Sequence, residues 1–184
     1  EPEPLSLYGK LKYESEKLIL STANHSIIVR MGGFFGGYKK DKNYVGKIVP
    51  DILNRIKNNI GEIEVGDRIW QPTYTEDLAL NCLLLILKDK EGIYNMASHN
   101  ETSFYEFTVK IVEYLNLGNF IKVIEVSSEQ FDNAENAKRP HSIKLINKRL
   151  IKEGLDMQGK WEISLEKYLN GKYYKKLINK GLDK

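Results

Sequence analysis

The chain has 184 residues, 41% hydrophobic and 29% charged, long enough for one substantial core and unlike a disordered, collagen-like or disulfide-rich sequence. Its 28 basic and 25 acidic side chains leave a net charge of +3 without a basic block, which argues against a nucleic-acid partner. The single cysteine, Cys82, rules out an internal disulfide and fits a reducing cytoplasm, and the apolar run LALNCLLLIL around it, about ten residues, is too short to cross a membrane.

The opening segment EPEPLSLYG has neither a basic start nor an apolar stretch, and with no initiator Met it reads as the interior of a longer chain. After Pro4, the spacing of Leu5, Tyr8, Leu11, Leu18 and Ile19 predicts a first helix ending at Ser21–Ser26. SIIVRM then reads as a buried strand, and GGFFGGY as a glycine loop. A helix follows from Asn43 to Asn58, with Pro50 expected to kink it or to open a second one.

GEIEVGD predicts a short strand. In PTYTEDLALNCLLLILKD, Thr73 and Glu76 have capping-box spacing ahead of a deeply buried helix reaching about Lys88. EGIYNMAS is the next strand, and Ser103 with Glu106 repeats the box before a helix stopped by Gly118. FIKVIEV is a last strand; a polar stretch then leads to two amphipathic segments, INKRLIKEGL and WEISLEKYLNGKYYKKLINK. Alternating strands and helices imply an α/β architecture with a mainly parallel sheet.

Tyr8 and Lys12 stand four apart on the first helix and so share a face. An ammonium beside a phenol favours the phenolate and lowers the phenol's pKa, which makes the pair a proton donor suited to a carbonyl oxygen. The spacing alone is common here, recurring at Tyr13/Lys17, Tyr38/Lys42 and Tyr168/Lys172. Neither G-x-G-x-x-G nor G-x-x-x-x-G-K-[ST] occurs, so this stretch has no phosphate cradle of its own. His25, His99 and His141 are widely separated with no ligand cluster, so no metal is expected.

The string P-L-S-L-Y-G-K-L-K-Y-E-S-E resembles the signature of extended short-chain dehydrogenase/reductases, with Tyr8, Gly9, Lys12 and Glu16 matching and Leu11 in place of a small hydroxyl residue. IIVRMGGFFG, GDRIWQPTYTEDLA, GIYNMASHNETSFYEF and the block Lys138-Arg139-Pro140-His141-Ser142, in that order, are similar to the dTDP-4-dehydrorhamnose reductases. Trp70 stands where those relatives commonly carry glycine.

The resemblance implies the C-terminal part of a Rossmann-type doubly wound parallel sheet plus a small α/β substrate-binding domain. Residues 1–36 would end the nucleotide-binding domain, 37–184 would be mainly substrate-binding, and 73–97 would return to the Rossmann sheet. It implies reduction of a 4-keto-6-deoxy sugar nucleotide with NADP(H) or NAD(H). Tyr8 would be the proton donor; Lys12 would lower its pKa and hydrogen-bond the nicotinamide ribose. The family's Ser or Thr and its glycine motif lie upstream of the Tyr/Lys helix, so this stretch alone is not expected to turn over.

Met31, Gly32 and Gly33 would line the cofactor, and Phe34, Asn43 and Arg139 the nucleotide-sugar substrate. For the glycines a tight turn, for Asn43 a helix cap and for Arg139 a solvated loop remain alternative readings. A homodimer through the first helix is a further expectation. An epimerase or dehydratase on the same scaffold, or a non-catalytic binding subunit like the regulatory subunit of methionine adenosyltransferase, are the other outcomes the resemblance admits.

Overall fold

A computed structural model describes residues 2–132 and 140–182. Helix α1 (Leu7–Thr22) starts where the Ser6 hydroxyl accepts from the Gly9 amide at 3.1 Å, and it buries none of its residues. Strand β1 (Ile27–Arg30) leads through β2 (Phe34–Phe35) and a 3₁₀ turn at Tyr38–Lys40 into α2 (Tyr44–Lys57). Strands β3 (Glu62–Gly66), β4 (Ile69–Trp70) and β5 (Thr73–Tyr74) precede α3 (Thr75–Leu87) and β6 (Gly92–Asn95). Next come β7 (Thr102–Ser103), α4 (Phe104–Tyr114), β8 (Lys122–Val126) and the one-turn α5 (Glu129–Asp132). After residue 140, α6 (Lys148–Lys152), α7 (Trp161–Leu169) and α8 (Lys172–Leu182) complete the order.

Four strand pairs organise these elements. β1 runs parallel to β6 from Ile27↔Gly92 to Arg30↔Asn95, and β3 runs parallel to β8 from Glu62↔Lys122 to Gly66↔Val126. The short β2–β5 pair is also parallel, and β4–β7 is antiparallel. Alternation in β3 turns Ile63 and Val65 inward. There they join Val45, Val49, Ile52 and Leu53 of α2, Phe107 and Ile111 of α4, and the aromatic residues of α7 and α8 in the main core. A second, smaller cluster of Leu85, Tyr94, Met96, Leu150 and Leu155 sits against Ile27 and Val29 of β1, with the half-buried Cys82 on its margin.

Several expectations change. Pro50 does not open a second helix: α2 runs through it as one element, with the buried residues Val45, Val49, Ile52 and Leu53 on both sides of it. Helix α3 is not deeply buried: only Asn81 and Leu85 are enclosed, while Leu80, Leu83, Ile86 and Leu87 are exposed, since one face alone meets β1 and β6.

Thr73 forms no capping box. Pairing with Phe34 draws it into β5, its hydroxyl accepts from the Ser98 amide at 3.2 Å, and α3 starts after Tyr74. The Ser103–Glu106 box is present. Helix α4 ends before Gly118, with Asn116 at φ 55° and the Leu117 amide donating to Val112 O at 2.9 Å, a left-handed cap that asparagine tolerates. The final amphipathic segment is two helices, α7 and α8, split at Asn170–Gly171.

Candidate functional site

A cleft of about 600 Å³ opens where β2, the start of α2, the end of β3 and the start of α4 meet. One part of its lining is cationic, with Lys42, Lys47 and Arg68 beside Asn43; the other is apolar, with Phe34, Tyr44, Trp70, Phe104, Phe131 and Ile143. Among the described residues no carboxylate lines it. A pocket combining clustered cations with flat aromatic walls suits a ligand that joins an anionic group to rings.

The cationic end is set by a buried carboxylate. Asp41, 7% exposed, accepts from the Gly36 amide (3.1 Å), the Tyr168 hydroxyl (3.1 Å) and the Asn43 amide (2.9 Å). Tyr168 Oη in turn accepts from the Tyr38 amide at 2.8 Å, and burial pushes its phenol pKa up, so it stays a donor to Asp41. Helix α2 comes so close that a Cβ on Gly46 would lie 1.9 Å from Asp41 O, which only glycine permits. The loop between β2 and α2 is thereby folded onto one carboxylate, and Lys42 and Asn43 leave it at a fixed place.

The opposite wall is clamped in the same manner. The Ser128 amide donates to Asp67 Oδ1 at 2.9 Å and holds that carboxyl below its usual range. Ser128 Oγ accepts from the Arg68 amide at 2.8 Å. Tyr44 is bonded to Thr108 at 2.5 Å, and burial pushes its phenol up to about 12, so it remains neutral at physiological pH.

Of the residues picked out from sequence, Gly33, Phe34 and Asn43 line the cleft, while Met31, Gly32, Tyr8 and Lys12 do not. Asn43 occupies the N-cap position of α2 without a side-chain cap bond and lines the cleft. Gly33 owes its lack of a side chain to packing, since a Cβ there would come within 2.6 Å of Trp70. Gly32 has no such neighbour closer than 3.8 Å.

Tyr8 is 72% exposed and Lys12 is exposed, and among the described residues neither side chain makes a hydrogen bond or ion pair. Their helix is tied to the carboxyl end of β1 by Glu16, whose carboxylate receives Arg30 Nε at 2.9 Å and a terminal guanidinium nitrogen at 2.5 Å. Arg139 lies outside the described residues. The chain beyond it runs beside β4, where the Ile69 amide donates to His141 O and the Ile143 amide to Ile69 O, and so brings Ile143 to the cleft.

Sequence reasoning missed Asp41, Lys42, Lys47, Arg68, Phe104, Ser128 and Phe131. Lys42 and Lys47 bracketing a helix start next to Asn43 was a usable signal; the rest depend on which strands meet. Among the described residues no group of three or more His, Cys, Asp or Glu could hold a metal, and no helix is long and apolar enough to cross a membrane.

The fold is shared with solved dTDP-4-dehydrorhamnose reductases. The model of the RmlD substrate binding domain matches residues 1–173, and the chain belongs to that family. It is 29% identical over 168 residues to the spore coat polysaccharide biosynthesis protein SpsK of Bacillus subtilis, covering 91% of this chain and 55% of that protein. The crystal structure of dTDP-4-dehydrorhamnose reductase from Bacillus anthracis in complex with NADP superimposes with a TM-score of 0.78 at 29% identity, over 92% of this chain and 57% of that one. Methionine adenosyltransferase 2 subunit beta of Danio rerio is 28% identical over 166 residues, 85% of this chain and 49% of that subunit. The chain thus spans about half the length of the relatives it matches. The expected fold class holds: mixed α/β with parallel strand pairs, matching part of a Rossmann-like reductase.

Proposed function

We propose that the chain forms the substrate-binding part of an NAD(P)H-dependent reductase acting on a 4-keto-6-deoxy sugar nucleotide. The observation that carries this reading is the cleft, cationic at Lys42, Lys47 and Arg68 and aromatic beyond, reached by the loop that leaves β1. The diphosphate would lie at the cationic end, where Lys42 and Lys47 have no ion-pair partner among the described residues. Arg139 is assigned to the same ligand.

The residues present fit the nicotinamide end of the cofactor. Met31 is exposed just past the carboxyl end of a parallel strand, the usual ligand edge of an open α/β sheet, and at Gly32 the nearest neighbour of a Cβ would be Gln71 O at 3.8 Å. They do not cradle its phosphates, for which the sequence has no motif. When bound, that cofactor supplies hydride. The Tyr8 hydroxyl gives its proton to the C4 oxygen of the sugar, the Lys12 ammonium favours the phenolate left behind and holds the ribose, and Met31, Gly32 and Gly33 line the cofactor.

The protein carrying this chain is expected to oxidise NADPH or NADH only when a 4-keto-6-deoxy sugar nucleotide such as dTDP-4-dehydrorhamnose is supplied, and to bind dTDP without it. No turnover with any such sugar, together with stoichiometric co-purification of a protein partner, would replace this reading with a binding subunit. The likeness to methionine adenosyltransferase 2 subunit beta favours that second reading.

A further inference from the structure

One indole forms the floor of the cleft, held from both sides. Trp70 is 5% exposed. Its ring stacks on Phe104 with centroids 4.5 Å apart and planes 9° from parallel. Across the ring lies Gly33, where even a Cβ would come within 2.6 Å of Trp70 Cε3. Tyr44 and Phe107 meet the ring at 73° and 75°. Gly33, Trp70 and Phe104 all line the cleft.

This ring fills the space in which the loop leaving β1 joins the cleft. Its indole N–H is buried with no hydrogen-bond partner among the described residues, a state that costs about 1–3 kcal/mol and that a phenyl ring in the same place would avoid. The indole spans from its stack on Phe104 to the Gly33 backbone, and that breadth is what it brings to the cleft. The contact is also mutual, because Gly33 can carry no side chain while Trp70 is present.

We propose that Trp70 is a specificity-determining residue that limits the size of the sugar accepted at the Gly33 end of the cleft. A compact 6-deoxy hexose passes the indole, and a hexose with a bulky ring substituent such as an acetamido group does not. The proposal rests on the reading of the cleft as a sugar-nucleotide site. Apolar walls discriminate by fit, and a misfit of this kind is worth roughly 10- to 200-fold.

The test is calorimetric binding of dTDP, dTDP-rhamnose and dTDP-N-acetylglucosamine to the wild type, Trp70→Ala and Trp70→Phe. The wild type should favour the rhamnosyl over the N-acetylglucosaminyl compound by at least about 10-fold. Trp70→Ala should bring the two within about threefold of each other, and Trp70→Phe should fall between. An equal ratio in wild type and variants, with dTDP bound by all, overturns the proposal and leaves the site reading intact. Failure of the wild type to bind dTDP removes both. If Trp70→Ala does not fold, the ratio measured with Trp70→Phe decides. Gly33→Ala alone should lower Tm, and adding Trp70→Ala should restore part of the loss; strictly additive losses would also overturn the proposal.

Discussion

The unit around β3 and β8 and the unit around β1 and β6 have the same plan, a parallel pair with helices against it, yet they are held differently. In the first, α2, α4, α7 and α8 close over the strands, and buried aromatic rings from Phe35 to Tyr174 touch one another through the core. In the second, the core is small and one-sided, α3 leaves four large apolar side chains exposed, and α1 buries nothing. The well-packed unit carries the cleft. The thinly packed one carries the Tyr8/Lys12 pair proposed for proton transfer. Binding geometry and acid–base chemistry are thus assigned to parts of unequal rigidity.

The sharpest way to break this contrast is Tyr8→Phe. With Tyr8 standing in solvent, the substitution should leave Tm unchanged and lower turnover by roughly 10²–10⁴-fold; a large fall in Tm with turnover retained would refute the assigned role. Asp41→Ala should do the reverse of a purely chemical lesion. It strands two buried donors and one half-buried donor and should cost about 3 kcal/mol, read as a Tm drop of roughly 6–12 °C, with weakened dTDP binding as Lys42 and Asn43 lose their anchor.

Lys47→Ala should weaken dTDP binding about 10-fold at low salt and less at high salt, with Tm unchanged. The smallest effect is expected in the one-sided unit. Arg149 and Lys90 hold the Glu153 carboxyl down to about 2. Because its folded value lies below the ordinary carboxylate value near ~4.3, its contribution is present above that value and is lost as pH falls toward 2. The Tm difference between wild type and Glu153→Gln should therefore be constant above pH ~5 and vanish by pH ~2; a difference that persists at the acid end would count against this ion pair.

The regular elements were legible in sequence because each carries a period. Alternation marked β3, the stripe from Val45 to Leu53 marked α2, and Ser103 with Glu106 marked the start of α4. What escaped has no period. Two-residue strands such as Phe34–Phe35 and Thr73–Tyr74 exist only because their partner is nearby, and that pairing is also what took Thr73 from the helix cap. Asp41 looked like one more charge in a lysine-rich loop, since nothing local announces that Tyr168, well over a hundred residues later, will bury it. The apolar run in α3 predicted burial that one-sided packing does not provide. At the site, the resemblance pointed to the loop glycines and Asn43, with Lys42 and Lys47 close by in sequence, but Arg68 arrives from the approach to β4, which only the folded chain brings to the same cleft.

The Glu16–Arg30 pair gives α1 a pivot two turns from its working end. At 1.5 Å per residue, Tyr8 stands about 12 Å from that pivot, so a tilt of about 5° there swings the phenol by about 1 Å. A misplacement of that size can cost on the order of 100-fold in rate. On the proposed role of Tyr8, the helix would act as a lever whose angular precision, rather than the strength of any contact at Tyr8 itself, governs how well the proposed proton donor is aimed.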